Sequence, residues 1–147
     1  MLKESIERLE YLCETIPPLV NAIPEKDFTD KPAPGKWSKK EILGHLIDSA
    51  TNNHQRFVRT QFENEPVIFY DQNKWNLFGH YNKLDRNHVV SFWTIYNRHL
   101  IELMKRTPEH NLVLTSIGPN EEKFTLGFLM ADYVVHQEHH LKQIVSY

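Results

Sequence analysis

Ser38-Lys39-Lys40-Glu41-Ile42-Leu43-Gly44-His45-Leu46-Ile47-Asp48-Ser49 opens with a helix start spelled out in side chains. A serine three residues ahead of a glutamate forms a capping box. Its hydroxyl accepts one free amide of the first turn while the glutamate reaches back to the serine amide. Trp37 and Ile42 flank the box as a hydrophobic staple. Apolar residues then recur at Ile42, Leu43, Leu46, Ile47, Ala50, Phe57 and Val58, which predicts one buried helix face continuing to about Glu63.

Three further stretches carry the same spacing. Leu2, Ile6, Leu9, Cys13, Ile16, Val20 and Ile23 form a single stripe, with Pro17-Pro18 predicted to kink or restart the helix and an end near Pro24. A polar connector with Pro32, Pro34 and Gly35 follows. Asp85 is a candidate N-cap for a helix to Arg106 that carries Val89, Trp93, Tyr96, Leu100 and Leu103. Thr125 caps a last helix, predicted to reach the C-terminus through Leu126, Met130, Tyr133, Val134, Leu141 and Ile144. Four amphipathic helices predict an all-α fold, a four-helix bundle in one domain spanning residues 1–147.

The connection between the second and third of these helices covers roughly twenty residues, longer than most. It holds Phe69, Tyr70, Trp75, Phe78 and Tyr81, so it is expected to fold back over the bundle as an aromatic-rich crossover, with a short helix near Asp71 to Trp75. These aromatics are expected to cover the bundle rather than to lid a cleft. A connection of this length lets two successive helices point the same way. Residues 107–124 are expected to hold a small hairpin turning at Gly118-Pro119-Asn120.

Composition limits the function classes. The 147 residues suffice for one apolar core, with 40% apolar and 12% aromatic residues. Lys and Arg total 17 against 19 Asp and Glu, a net charge of −2, which excludes a strongly basic nucleic-acid binder. The single cysteine, Cys13, excludes a disulfide framework and lies on an inner helix stripe, where it reads as packing rather than a nucleophile. No stretch is long enough to span a membrane, and the N-terminus lacks the pattern of a signal peptide, so a cytoplasmic location is expected. Lys36, Lys39 and Lys40 read as a solvated helix start rather than a phosphate site.

The nine histidines carry the chemistry. His136 and His140 are four residues apart, so a helix stacks them one turn apart and can aim both rings at one point. At about 100° per residue, His140 falls inside the apolar arc of the last helix, His136 at its edge and His139 well away. Two imidazoles on an inner face are either core histidines satisfied by hydrogen bonds or a ligand pair, and periodicity leaves both open. His45 lies roughly 60° beyond the apolar arc of its helix, which fits a cleft rim but also an ordinary surface histidine, the more economical reading from the wheel alone. Gly44 beside it allows close approach. His54 reads as a satisfied core residue, and His80, His88, His99 and His110 as surface or loop positions. The paired Glu-x-x-His repeats of di-iron bundles, His-Glu-x-x-His, a phosphate-cradling glycine loop and a serine nucleophile elbow are all absent.

Taken together, the segment from Gly35 to Ser49, the aromatic connection with Asp71 and Trp75, and Thr125-Leu126 leading to His136-x-x-His139-His140-x-x-Gln143-Ile144 resemble the DinB/YfiT-like superfamily over most of the chain. That resemblance implies a DinB-like four-helix bundle, often a homodimer, with a divalent metal held by three histidines. Position by position these are His45, His136 and His140, the first resting mainly on the resemblance. Asp48 and Gln143 match polar positions near that site and are candidates to orient an imidazole. Relatives include bacillithiol- or mycothiol-dependent S-transferases and a thiol-dependent isomerase, and many members carry only the name of metal-dependent hydrolases. The implied function is a metal-dependent enzyme acting on a small molecule, either a hydrolase or a thiol S-transferase with a low-molecular-weight thiol as co-substrate. Zinc or nickel suits the nitrogen ligands. No residue stands out as general acid or base. The alternative is a non-catalytic bundle that binds a metal or small molecule, and neither nucleic acid nor membrane is an expected partner.

Overall fold

Pro17 and Pro18 do not interrupt the first helix. The computed structural model describes residues 2–147, and in it α1 runs unbroken over Leu2–Asn21. This corrects the expected restart. The two prolines leave the carbonyls of Cys13 and Glu14 without helical donors, but Ile16 and Val20 on either side are fully buried. Burial of such side chains contributes about 1.5–3 kcal/mol each, enough to hold the turn together.

The connector to the next long helix is not merely polar. It contains α2 (Glu25–Thr29), which drives Phe28 into the core. The Arg86 guanidinium lies 4.6 Å over the Phe28 ring and Lys40 Nζ lies 5.9 Å from it. Lys40 is therefore not part of a solvated cluster. It is 3% exposed, with its ammonium 3.7 Å from Glu25. Five residues are too few to show helical periodicity, so the sequence pattern gave no warning of α2.

Helix α3 (Lys39–Arg59) starts at the capping box: Glu41 N donates to Ser38 Oγ and Ser38 N to Glu41 Oε1, both at 3.0 Å. It ends four residues earlier than predicted, in a turn over residues 60–63. Helix α4 (Gln72–Gly79) is capped by Asp71, whose carboxylate accepts from Lys74 N, and it ends at His80 in the left-handed region. Helix α5 (Arg86–Arg106) is capped by Asp85 as expected. Strands β1 (Thr115–Ile117) and β2 (Lys123–Thr125) form the predicted antiparallel hairpin. Helix α6 (Leu126–Leu141) is capped by Thr125 and stops at Leu141, short of the predicted C-terminus, after which the chain turns and buries Ile144.

Both α1 and α3 pack against α5 and α6. Side-chain contacts give the directions. Arg86, at the start of α5, donates to the carbonyls of Val20 and Asn21 at the end of α1, so these two helices are antiparallel. His45 meets His140 while Phe57 meets Tyr133, so α3 and α6 are antiparallel. Glu25 pairs with both Lys40 and Arg86, and His54 meets Tyr96 further on, so α3 and α5 run in the same direction. The chain between Thr60 and Asp85 therefore returns the length of the bundle, about 30 Å for a helix of this size. Val67 bridges to Ile117 on the way, and α4 packs on α3.

The aromatics of this return segment divide. Phe69 and Phe78 are mostly exposed and Trp75 partly so, contrary to the expectation that they cover the bundle, whereas Tyr81 packs closely over Gly44 of α3. Inside, the polar groups are matched: Trp93 Nε1 donates to Gln137 Oε1 at 2.9 Å and the Tyr133 hydroxyl to Asn97 Oδ1 at 2.7 Å. Among the described residues, no helix is long and apolar enough to cross a membrane.

Candidate metal centre

His45 stands on the second turn of α3, and the capping box that starts the helix fixes where its ring emerges. His136 and His140 stand one turn apart near the end of α6. Because α3 and α6 are antiparallel neighbours, the three rings meet. One ring nitrogen from each lies within 4.8 Å of the others, and His45 Nε2 is 3.4 Å from His136 Nε2. The rings sit edge to face, at interplanar angles of 77°, 79° and 78°. Tetrahedral zinc with nitrogen at about 2.0–2.1 Å has ligand atoms about 3.4 Å apart, so the His45–His136 spacing matches an edge of that tetrahedron.

The outer ring nitrogens point the same way chemically. His140 Nδ1–H donates to Gln143 Oε1 at 3.0 Å, a carbonyl that can only accept, which leaves the Nε2 lone pair free. His136 Nδ1 meets Ser49 Oγ at 3.3 Å, and donation to that hydroxyl leaves its Nε2 in the same state. Gln143 thus contacts one of the three rings. Asp48 instead accepts from the Tyr81 hydroxyl, and its Oδ2 is buried without a partner, as is His45 Nδ1 three residues before it. The sequence reading passed over Ser49, although its i+4 spacing from His45 places it on the same helix face.

His45 is 1% exposed, which corrects the surface reading. A helical wheel sees only the apolar residues of its own helix, whereas here Trp37 lies 4.8 Å from the His45 ring and the return segment covers that side of α3. His139 is exposed as expected. His54 is half-buried and meets the Tyr96 hydroxyl at 2.9 Å, and His80, His88, His99 and His110 are exposed. Cys13 is buried, and burial pushes its thiol up to about 12, consistent with packing.

Burial, and then the neighbouring rings, pull His45 down to about 3 and His136 to about 4 from an ordinary 6.5, and burial also lowers His140. Neutral imidazoles are the ligand form. Below about pH 6.5 the unfolded chain binds protons that the folded rings refuse, so stability falls as the metal-free protein is acidified. Asp48 opposes this. Its buried carboxyl, raised to about 6, is protonated first in the folded state. Two imidazoles outweigh one carboxyl, and the expected net loss between about pH 7 and about pH 5 is on the order of 2–3 kcal/mol. Urea unfolding at both values measures it, and equal stability at the two would contradict this account.

The sequence profile of the DinB superfamily matches residues 2–144. The chain belongs to the DinB superfamily. A protein of Oceanobacillus iheyensis named "Putative metal-dependent hydrolase OB0413" is 22% identical over 144 residues, covering 97% of this chain and 83% of that protein. A Bacillus cereus strain B4264 protein of the same general name is 22% identical over 147 residues, covering 99% and 84%. Among solved structures, YfiT from Bacillus subtilis, a four-helix bundle of unusual topology, matches with a TM-score of 0.88 at 21% identity, over 97% of this chain and 83% of that one. A mutant of the mycothiol-dependent maleylpyruvate isomerase matches with a TM-score of 0.80 at 9% identity, over all of this chain and 62% of that one. These structural likenesses show that the chain shares the fold of YfiT.

Proposed function

We propose that the protein is a metal-dependent enzyme, a hydrolase or thiol S-transferase, in which His45, His136 and His140 hold a divalent ion, zinc or nickel. The observation that carries this reading is the convergence of three neutral ring nitrogens with no fourth histidine, cysteine or carboxylate in the group among the described residues. A purely structural zinc site is closed by four protein ligands, whereas three leave a position for a reactant. When bound, the ion supplies Lewis acidity that brings a coordinated water or thiol toward ionisation at neutral pH. Names of the relatives agree with this chemistry, and the isomerase adds a thiol-dependent precedent in the same fold.

The protein's own groups have separable tasks. Gln143 and Ser49 hold two rings in the tautomer with Nε2 turned inward. Trp37 lies against the His45 ring, 4.8 Å away, and Tyr81 of the return segment covers the neighbouring Gly44. Asp48, buried beside Tyr81 with Oδ2 unpartnered, has its carboxyl raised to about 6 by burial and stands one turn from His45 on the same helix face. The same reading takes the chain as one domain, cytoplasmic and homodimeric, acting on a small molecule with a low-molecular-weight thiol as co-substrate.

The test uses protein without a polyhistidine tag, stripped and then loaded with zinc or nickel. Cysteine plus chlorodinitrobenzene probes S-transfer, in which a C–S bond forms, the C–Cl bond breaks, and chloride and the thiol proton leave. Nitrophenyl acetate probes hydrolysis. We expect at least about tenfold acceleration by the metal in one of the two assays, absent in His45→Ala. Equal rates with and without metal in both would return the protein to the non-catalytic reading.

A further inference from the structure

Seven residues beyond Ser49, about 10 Å along the same side of α3, stands an arginine that the proposed chemistry does not use. Arg8, Arg59, Arg86 and Arg106 each hold a glutamate, and Arg98 is exposed. Arg56 is half-buried, and among the described residues it forms no ion pair. Its partners are neutral: Nη1 donates to Asn53 Oδ1 and Nη2 to the Ile68 carbonyl, each at 3.2 Å. A guanidinium has five N–H donors, so three remain uncommitted on a cation already partly stripped of water. These two bonds also hold the plane of the fork in place.

The guanidinium borders a cleft of about 230 Å³ between the hairpin and the α3/α6 pair. Ile68, Ile117, Phe124 and Leu129 supply apolar walls, and Asp132 stands on the same cleft as an exposed carboxylate. Asp132 is one helical turn before His136 on α6.

We propose that this cleft is a binding subsite for a small carboxylate with an apolar body, the carboxylate held by Arg56 and the body by Ile68, Ile117 and Leu129. Arginine matches a carboxylate with two parallel N–H donors, which suits a planar singly charged group. The cleft holds no more than a ring or a short chain beyond that group. Asp132 repels a second negative charge, so phosphate and dicarboxylates are disfavoured. The subsite does not require that the histidines hold a metal.

Titration of the metal-free protein with phenylpropionate, followed by amide NMR shifts, tests the proposal. We expect saturable shifts centred on Ile68, Ile117 and Leu129, with affinity at least about tenfold lower for phenylpropionamide and for Arg56→Met. Asp132→Asn is expected to tighten phenylpropionate several-fold, a gain that a misfolded variant does not produce. The proposal is overturned if acid and amide bind alike, if Arg56→Met binds as well as wild type, if the shifts centre on the histidines, or if no saturable binding occurs. All of these readouts are taken without metal, so failure of the metal centre leaves them unchanged.

Discussion

His136→Ala is expected to remove stoichiometric metal from the protein. Wild-type protein without a tag, dialysed against zinc or nickel and then against buffer, should retain about one ion per chain, as a three-nitrogen site holds. Removing His136 takes away the ring that sits 3.4 Å from His45 and leaves two ligands on different helices. Changes to groups that merely orient a ligand cost about 10–100-fold in metal affinity, so loss of the ligand itself should exceed about 100-fold. His45→Ala and His140→Ala should behave alike. His139→Ala is the matched control, since that ring is exposed on the same helix and lies outside the converging group. A thermal shift gives a second measure, because an ion at about 100 times its dissociation constant stabilises the folded state by about 2.7 kcal/mol. Equal metal in wild type and His136→Ala would remove this ring from the site.

Gly44→Ala should destabilise the protein by about 3 kcal/mol, against the trend for its local structure. Alanine in a helix interior is ordinarily better than glycine by up to about 1 kcal/mol. Here a Cβ would lie 2.2 Å from the ring of Tyr81, and on the far side Gly79 leaves room for the same ring, with a Cβ there 2.7 Å from it. Held between two glycines, the ring has no small adjustment available. Its displacement breaks the hydrogen bond to Asp48 and loosens the cover over α3 near His45. Urea unfolding of Gly44→Ala, Tyr81→Ala and the double variant separates the causes. If the clash is the origin, the double variant costs clearly less than the sum. A neutral or stabilised Gly44→Ala would show that propensity decides at this position.

Local signals carried most of the architecture. Ser38, Asp71, Asp85 and Thr125 all mark or adjoin helix starts because a cap is made by residues within a few positions of each other. The hairpin at Gly118-Pro119-Asn120 is equally local. His136 and His140 were legible as a pair because one helix sets their spacing. What escaped depends on parts of the chain far apart. Whether His45 is buried is decided by Trp37 and by the segment returning from α3 to α5, which a wheel of α3 does not contain. Lys40 and Phe28 are held in place by Arg86 and Glu25, the four residues coming from three different elements. Pro17-Pro18 carried a correct local penalty that burial of Ile16 and Val20 overrode.

The directions of the outer helices have a practical corollary. Leu2 and Ile6 share a cleft with Phe128 at the beginning of α6, whereas Leu19 and Ile23 share one with Ile144 and Val145. Helices α1 and α6 therefore run in the same direction, and beyond α6 the chain doubles back: the Tyr147 hydroxyl donates to Glu138 and the Arg8 guanidinium lies 6.0 Å from the Tyr147 ring. A polyhistidine handle fused after Tyr147 would start beside Glu138, two residues before His140 on α6, and compete for its ion.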